Sequence, residues 1–300
     1  MSKVLVVGSV ALDSVETPFG SNQEALGGSA IYSSVSANFF SPVSLVAVVG
    51  KDFPGEYLKL LKSRGIDLQG LEIRPGRSFR WKGRYGYDLN VAFTLSTELN
   101  VFEHFHPKLP KSYQQVPYVF LANIDPDLQL SVLKQLSRPK LVALDSMGFW
   151  IEKKKRSLLE LLPKVDLILL NDQEARALTG NTNLATAGKA LIRQGPRMVL
   201  IKKGEHGVLF FTKDFTFSTP AYLLESIKDP TGAGDTFAGG FLGYLSRQRR
   251  LEDASIRKAI IYGSVMASFA VEDFGLARLL SLTQREIQKR FNEFKTFTRF

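Results

Sequence analysis

Apolar residues run almost unbroken through "KVLVVG", "VSLVAVVG", "PYVFLA", "KLVALD", "VDLILL" and "RMVLIK". A strand with one wet face alternates apolar and polar residues. Unbroken runs predict strands covered on both faces, as in a parallel sheet. Segments of helical period lie between them. "DPDLQLSVLKQL" opens on a capping Asp125 with Pro126 in the first turn and repeats Leu128, Val132 and Leu136 on one face. "NLATAGKALIRQGP" repeats Leu184, Ala187, Leu191 and Ile192 and stops at Gly195-Pro196. Strand alternating with helix predicts an α/β fold: three layers, doubly wound, a mostly parallel sheet with helices on both faces. Beyond residue 251 the pattern is helical, in "DASIRKAIIYGSVMASFAV" and "TQREIQKRFNEF".

One region breaks this rhythm. Residues 71–100 alternate aromatic or aliphatic with polar residues, placing Phe79, Trp81, Tyr85 and Tyr87 in antiparallel strand with turns at Pro75-Gly76 and Gly83. With a further strand in "ETPFGSNQEALGG", this predicts a small β-sheet lid inserted from about 14–26 and 71–100 into a single domain spanning 1–300. Its aromatic content suits a cover over substrate. Its exposed edges suit pairing with a second copy, so a homodimer through the lid is expected.

Composition removes several classes of chemistry. The chain has no cysteine, hence no disulfide, thiolate metal site or cysteine nucleophile, and three histidines, too few for a zinc site unaided. No run approaches the roughly 20 apolar residues of a membrane span, and the opening "MSKVLVVGSVALDSV" reads as a first strand, so a cytoplasmic enzyme without membrane partners is expected. The net charge of +10 raises the question of nucleic acid. Its densest basic run, Lys153–Arg156, sits on a helical pattern with no finger, helix-turn-helix or aromatic RNA signature beside it. It reads as a solvated face; no nucleic-acid partner is expected, and the positive field suits a polyphosphate.

The chemistry concentrates in "DPTGAGDTFAGGFLGYL". Phe237, Phe241, Tyr244 and Leu245 recur at helical spacing, so Gly232, Ala233 and Gly234 lie at a helix start. Unpaired amides and the helix dipole converge there, and glycine lets the backbone approach an anion closely. A carboxylate at that point, Asp235, opposes a phosphate unless it handles the proton of the group attacking it. Glycine followed by aspartate is also an ordinary helix cap. Two other nucleotide motifs fail. "GNTNLATAGKA" has Ala190 after Gly188-Lys189 and Asn183 where a P-loop needs glycine, and "GAGDTF" has Phe237 where a dinucleotide fingerprint needs glycine.

"DPTGAGDTFAGGF" resembles the C-terminal signature of the ribokinase-like, or phosphofructokinase-B (pfkB), carbohydrate kinases. "GSVALDSV", "ALGGSAIYSSVSA", "VAVVGKDFPGEYLKLLKSRGID", "LLNDQEARALTG" and "VLIKKGEHGVLF" extend the resemblance over essentially the whole chain in the family's order. It implies a ribokinase-like fold and a transfer of the γ-phosphoryl group of ATP to a hydroxyl of a small sugar or polyol. Asp235 would be the general base, ionised at neutral pH, with the amides of Gly232, Ala233 and Gly234 as the anion hole. Asn171, Glu174, Lys202, Gly204 and Gly207 would serve the nucleotide, with Glu174 holding Mg2+ through water. Asp13, Gly27, Gly28 and Tyr32 would face the acceptor. Tyr32 stands where the family commonly has an asparagine, and a phenol cannot reproduce a two-sided amide contact. A different sugar, a cyclitol and a nucleoside whose base stacks on an aromatic all stay open as acceptors, as does a catalytically silent ligand-binding relative.

Overall fold

The computed structural model describes residues 3–299; positions 1, 2 and 300 of the expected domain lie outside it. Among the described residues thirteen strands form two sheets. The larger has nine strands in the order β13-β12-β11-β10-β9-β8-β1-β4-β5. These are β1 (Val4–Val7), β4 (Val43–Gly50), β5 (Asp67–Arg74), β8 (Tyr118–Leu121), β9 (Leu141–Asp145), β10 (Leu167–Asn171), β11 (Met198–Lys202), β12 (Val208–Thr212) and β13 (Thr216–Thr219). Pairing is parallel from β5 through β11, and β12 pairs antiparallel with both β11 and β13. The smaller sheet, in the order β3-β2-β6-β7, contains β2 (Ala11–Thr17), β3 (Gly20–Gly27), β6 (Phe79–Tyr85) and β7 (Ala92–Glu98).

The unbroken apolar runs have the expected cause. Val4 and Val6 enter one core cluster and Leu5 and Val7 the other. Leu167 and Leu169 divide from Ile168 and Leu170 in the same way, so every second residue serves the opposite face of the sheet. Helices Ser29–Asn38, Ala233–Ser246, Asp253–Ala270 and Gln284–Phe297 carry the first cluster. Helices Pro126–Leu133, Lys155–Leu161, Asp172–Thr179 and Leu184–Arg193 carry the second. Among the described residues no helix is long and apolar enough to cross a membrane.

Two sequence expectations for the lid need correction. Residues 71–74 belong to β5, the edge of the large sheet, because their backbone pairs with Ala47–Gly50 rather than with lid strands. Gly83 is no turn. It lies inside β6 beside a register shift, and the chain reverses between Tyr85 and Ala92 instead. The helix begun at Asp125, whose side chain accepts from the Asp127 amide, ends at Leu133, one turn before Leu136. Of the basic run, Lys154 is engaged by Asp125 and Asp127, and Arg156 remains solvated.

Helix Ala233–Ser246 is held in place by close approach. A Cβ on Gly239 would lie 2.2 Å from the Ser33 carbonyl oxygen, and one on Gly243 2.7 Å from that of Ala37. The Ser36 hydroxyl donates to the Thr236 carbonyl at 2.7 Å. Alanine is favoured over glycine in a helix by about 1 kcal/mol, but here it forces two backbones apart. Gly239→Ala is therefore expected to lower stability by roughly 1–3 kcal/mol in urea titration. Gly55→Ala, at a helix start where a Cβ meets nothing within 4 Å, should be neutral or mildly stabilising.

Candidate active site

The parallel strands deliver side chains to one edge of the large sheet. Asp145 closes β9, Asn171 closes β10 and Lys202 closes β11, with Asn171 and Lys202 in register. Chain order reverses across the β8–β1 boundary. In open α/β sheets ligand sites form at carboxyl ends of strands near such reversals. Helix Ala233–Ser246 points its N-terminus at this edge. It starts from Gly232 at φ 72°, a left-handed conformation that glycine adopts without strain, and no side chain caps it. The Ala233 amide is engaged by the Pro230 carbonyl at 3.2 Å, so of the three expected anion-binding amides this one is already bonded.

Lys202 stands beside this helix start. Its Nζ lies 3.0 Å from the position a Cβ on Gly234 would take, over the first turn of the helix. A cation at the positive end of a helix dipole is unfavourable alone. Asp145, itself buried, accepts from Nζ at 2.9 Å and holds it there. Burial pulls the ammonium toward neutrality, but Asp145, Glu174 and Asp235 outweigh it and raise its pKa. A fixed ammonium and a helix N-terminus thus converge on one point, the arrangement that receives phosphate.

Carboxyl groups crowd the same space. Asp235 is partly open to the cleft, yet burial and the nearby Asp145 push its carboxyl up to about 7, against the pull of Lys202. This corrects the expectation that the helix start keeps it wholly ionised at neutral pH: desolvation outweighs the dipole. Asp13, 6% exposed, is pushed to about 7 by burial although its Oδ2 accepts from the Gly28 amide at 3.1 Å. Gly27 leaves room for it, since a Cβ there would fall 1.9 Å from Asp13 Oδ2, whereas one on Gly28 would meet the Ser9 carbonyl oxygen at 2.5 Å. Glu174 is also pushed up to about 7, by burial and then Asp145.

Other expected residues have structural occupations. Asn171 and Glu174 form a capping box on helix Asp172–Thr179: Asn171 Oδ1 accepts from the Glu174 amide and Glu174 Oε2 from the Asn171 amide, both at 2.7 Å. Gly207 is fixed by packing, because a Cβ would meet the Thr219 carbonyl at 2.1 Å. Gly204 lies beneath the Asn90 side chain, whose Oδ1 would be 1.9 Å from a Cβ there. Tyr32 is 2% exposed, with its ring pressed on Gly232, which has no side chain to obstruct it. Burial first, then Asp13, Asp229, Tyr85 and Asp235, hold its hydroxyl protonated. Its hydroxyl sits among these groups, while its flat face is taken by Gly232.

The lid faces this cleft. Asp13 on β2 pairs in register with Trp81 on β6. Further along β6 the Tyr85 hydroxyl lies 3.3 Å from Thr231 Oγ1 in the loop before helix Ala233–Ser246. Asp229, 0% exposed, braces that loop by accepting from the amides of Thr231 at 2.9 Å and Gly275 at 3.0 Å. Sequence reasoning missed Asp145, although a charged residue ending an apolar strand run is the signal that also marks Lys202. It also missed Asn123, whose Oδ1 is buried without a hydrogen-bond partner just beyond β8.

A model of the pfkB family of carbohydrate kinases matches residues 1–282, and the chain belongs to that family. Its class is therefore a kinase with a hydroxyl acceptor. It is 34% identical over 259 residues to the cytidine kinase of Thermococcus kodakarensis, covering 84% of this chain and 92% of that one. It is 24% identical over 306 residues to the nucleoside kinase of Methanocaldococcus jannaschii, covering 96% and 97%. The crystal structure of the Methanocaldococcus jannaschii nucleoside kinase superposes with a TM-score of 0.78 at 21% identity, covering 98% and 99%. That of Burkholderia thailandensis nucleoside kinase in complex with inosine gives 0.80 at 19%, covering 97% and 98%.

The raised carboxyl of Asp235 ties stability to pH. A group whose folded pKa exceeds its unfolded value stabilises most below the ordinary carboxylate range, and that contribution is lost as pH rises through about 7. Asp235→Asn removes the cost of ionisation. Its melting temperature should exceed wild type at pH 8, by roughly 2–4 °C for each kcal/mol relieved, and the gain should vanish by pH 4, as read by calorimetry.

Proposed function

We propose that this chain is a nucleoside kinase that transfers the γ-phosphoryl group of ATP to a ribose hydroxyl, with Asp235 as general base. The observation that carries the reading is the juxtaposition of Asp235 with the Lys202–Asp145 pair over the uncapped start of helix Ala233–Ser246. The similarity to a cytidine kinase at 34% identity favours a nucleoside over a free sugar or cyclitol. In this reading the acceptor O–H gives its proton to the Asp235 carboxylate as its oxygen bonds to the γ-phosphorus. The bond from that phosphorus to the β–γ bridging oxygen breaks, and the electron pair leaves with ADP. Lys202 and the first-turn amides other than that of Ala233 hold the oxygens on which charge develops. Asp13 accepts from ribose hydroxyls on the opposite side, beside the backbone bared by Gly27 and Gly28. The Tyr32 hydroxyl joins that side, and Asn171, Gly204 and Gly207 border the nucleotide through their turns.

The donor set suits Mg2+ carried in with ATP. Among the described residues no group of three or more His, Asp or Glu could hold a metal ion, whereas Mg2+ keeps several waters and is bound largely by substrate phosphates. Glu174 Oε2 serves the helix cap, and its Oε1 is the oxygen that would reach the ion's water shell. When bound, the ion neutralises phosphate charge. The reading includes a cytoplasmic protein and a homodimer through the lid, supported by edge strand β7, which is exposed along its length and presents Phe93 and Leu95.

ADP release measured across nucleosides, pentoses, hexoses and inositols tests the substrate class: a nucleoside should give the highest kcat/KM. Turnover of a sugar or inositol alone would defeat the nucleoside assignment, and absence of turnover with tight ligand binding would favour a silent relative. Asp235→Asn should bind nucleotide and lose about 10²–10⁴-fold in kcat; retention within a few-fold would remove Asp235 from the base role. For wild type, the base must be ionised, so kcat/KM should fall tenfold per pH unit below about 7.

A further inference from the structure

We infer that Trp81 is the platform on which the acceptor's base stacks, so that the lid, and not the floor of the cleft, recognises a heteroaromatic ring. The inference rests on the nucleoside reading above and adds a residue and a mode of recognition to it. Trp81 leaves β6 on the face that also carries Asp13, its register partner on β2, and Tyr85, whose hydroxyl reaches the loop before helix Ala233–Ser246. That face looks into the cleft. The indole lies flat along its own strand. A Cβ on Gly83 would come within 2.1, 2.4 and 2.9 Å of three of its ring carbons, so position 83 is bare where the ring covers it. Indole Nε1 donates to Thr94 Oγ1 on β7 at 3.3 Å, which fixes the rotation of the ring.

One indole face is therefore covered by backbone and the plane is pinned, while the residue remains only half-buried. A rigid aromatic with one free face beside the carboxylate assigned to the sugar hydroxyls suits a flat ring attached to that sugar. Neither other aromatic of the acceptor side takes this part: Tyr85 is held at its hydroxyl by Thr231 Oγ1. Tyr32 is buried and its face is spent on Gly232. A bare pentose would reach Asp13 but leave the indole uncovered.

The test uses the full-length protein with the best nucleoside found by ADP release. Trp81→Ala should raise KM for that nucleoside about 10- to 100-fold, with KM for ATP and inhibition by free ribose unchanged. Trp81→Phe keeps an aromatic face and should recover most of the loss. Trp81 and Trp150 are the two tryptophans, so Trp150→Phe leaves a single reporter. Its fluorescence should change saturably with nucleoside and not with ribose. Nucleoside turnover with unchanged KM in Trp81→Ala, or with a silent reporter, overturns the platform and leaves the nucleoside reading standing. An equal loss of ribose affinity in Trp81→Ala also overturns it, since the residue would then only shape the lid. If no nucleoside is phosphorylated or perturbs the reporter, both the platform and the reading fall.

Discussion

The Asp145–Lys202 pair governs this site. An ammonium is repelled by the N-terminus of a helix, and without an anchor Lys202 would turn to solvent. A carboxylate buried at the end of β9 reverses that preference, because separating the two groups would leave Asp145 without its partner in a poorly hydrated place. The pair is costly to bury and costly to break. What it secures is position: three consecutive strands end in Asp145, Asn171 and Lys202, and the sheet register fixes their spacing before any ligand arrives.

The crowding of carboxyls follows from the same arrangement. Asp13, Glu174 and Asp235 all have raised pKa values, and for each the largest cause is burial. Such a site is unfavourable for folding and favourable for proton transfer near neutrality, the usual opposition between stability and activity. The stability is supplied elsewhere, by a sheet whose strands are covered on both faces and by helices packed closely enough to exclude a methyl group at Gly239 and Gly243.

Much of this was legible in the chain. The apolar runs mark the six strands from β11 to β4 of the large sheet because burial on two faces erases alternation. The helix start at residues 232–235 was legible because glycines and a carboxylate there contradict ordinary propensity. The failures have physical reasons. Strand β5 alternates because it is an edge, so it looked like lid. Gly83 looked like a turn because its real constraint, an indole two residues away, is invisible without the ring's rotamer. Asp145 passed unnoticed because its meaning comes from Lys202, on a strand that is distant in sequence. The protonation of Asp235 was misjudged because a helix dipole can be read locally, whereas desolvation depends on everything that folds around it.

Gly83 carries a consequence for how such chains diverge. While the indole lies against it, no substitution at that position is neutral, so the glycine is bound to the tryptophan and not to any property of the strand. A descendant that gave up the ring would free position 83 to drift. One that first acquired a side chain there would have to lift the ring from the strand. The order of changes by which this lid could acquire a different clientele is thereby restricted: the large residue must go before the small one can grow.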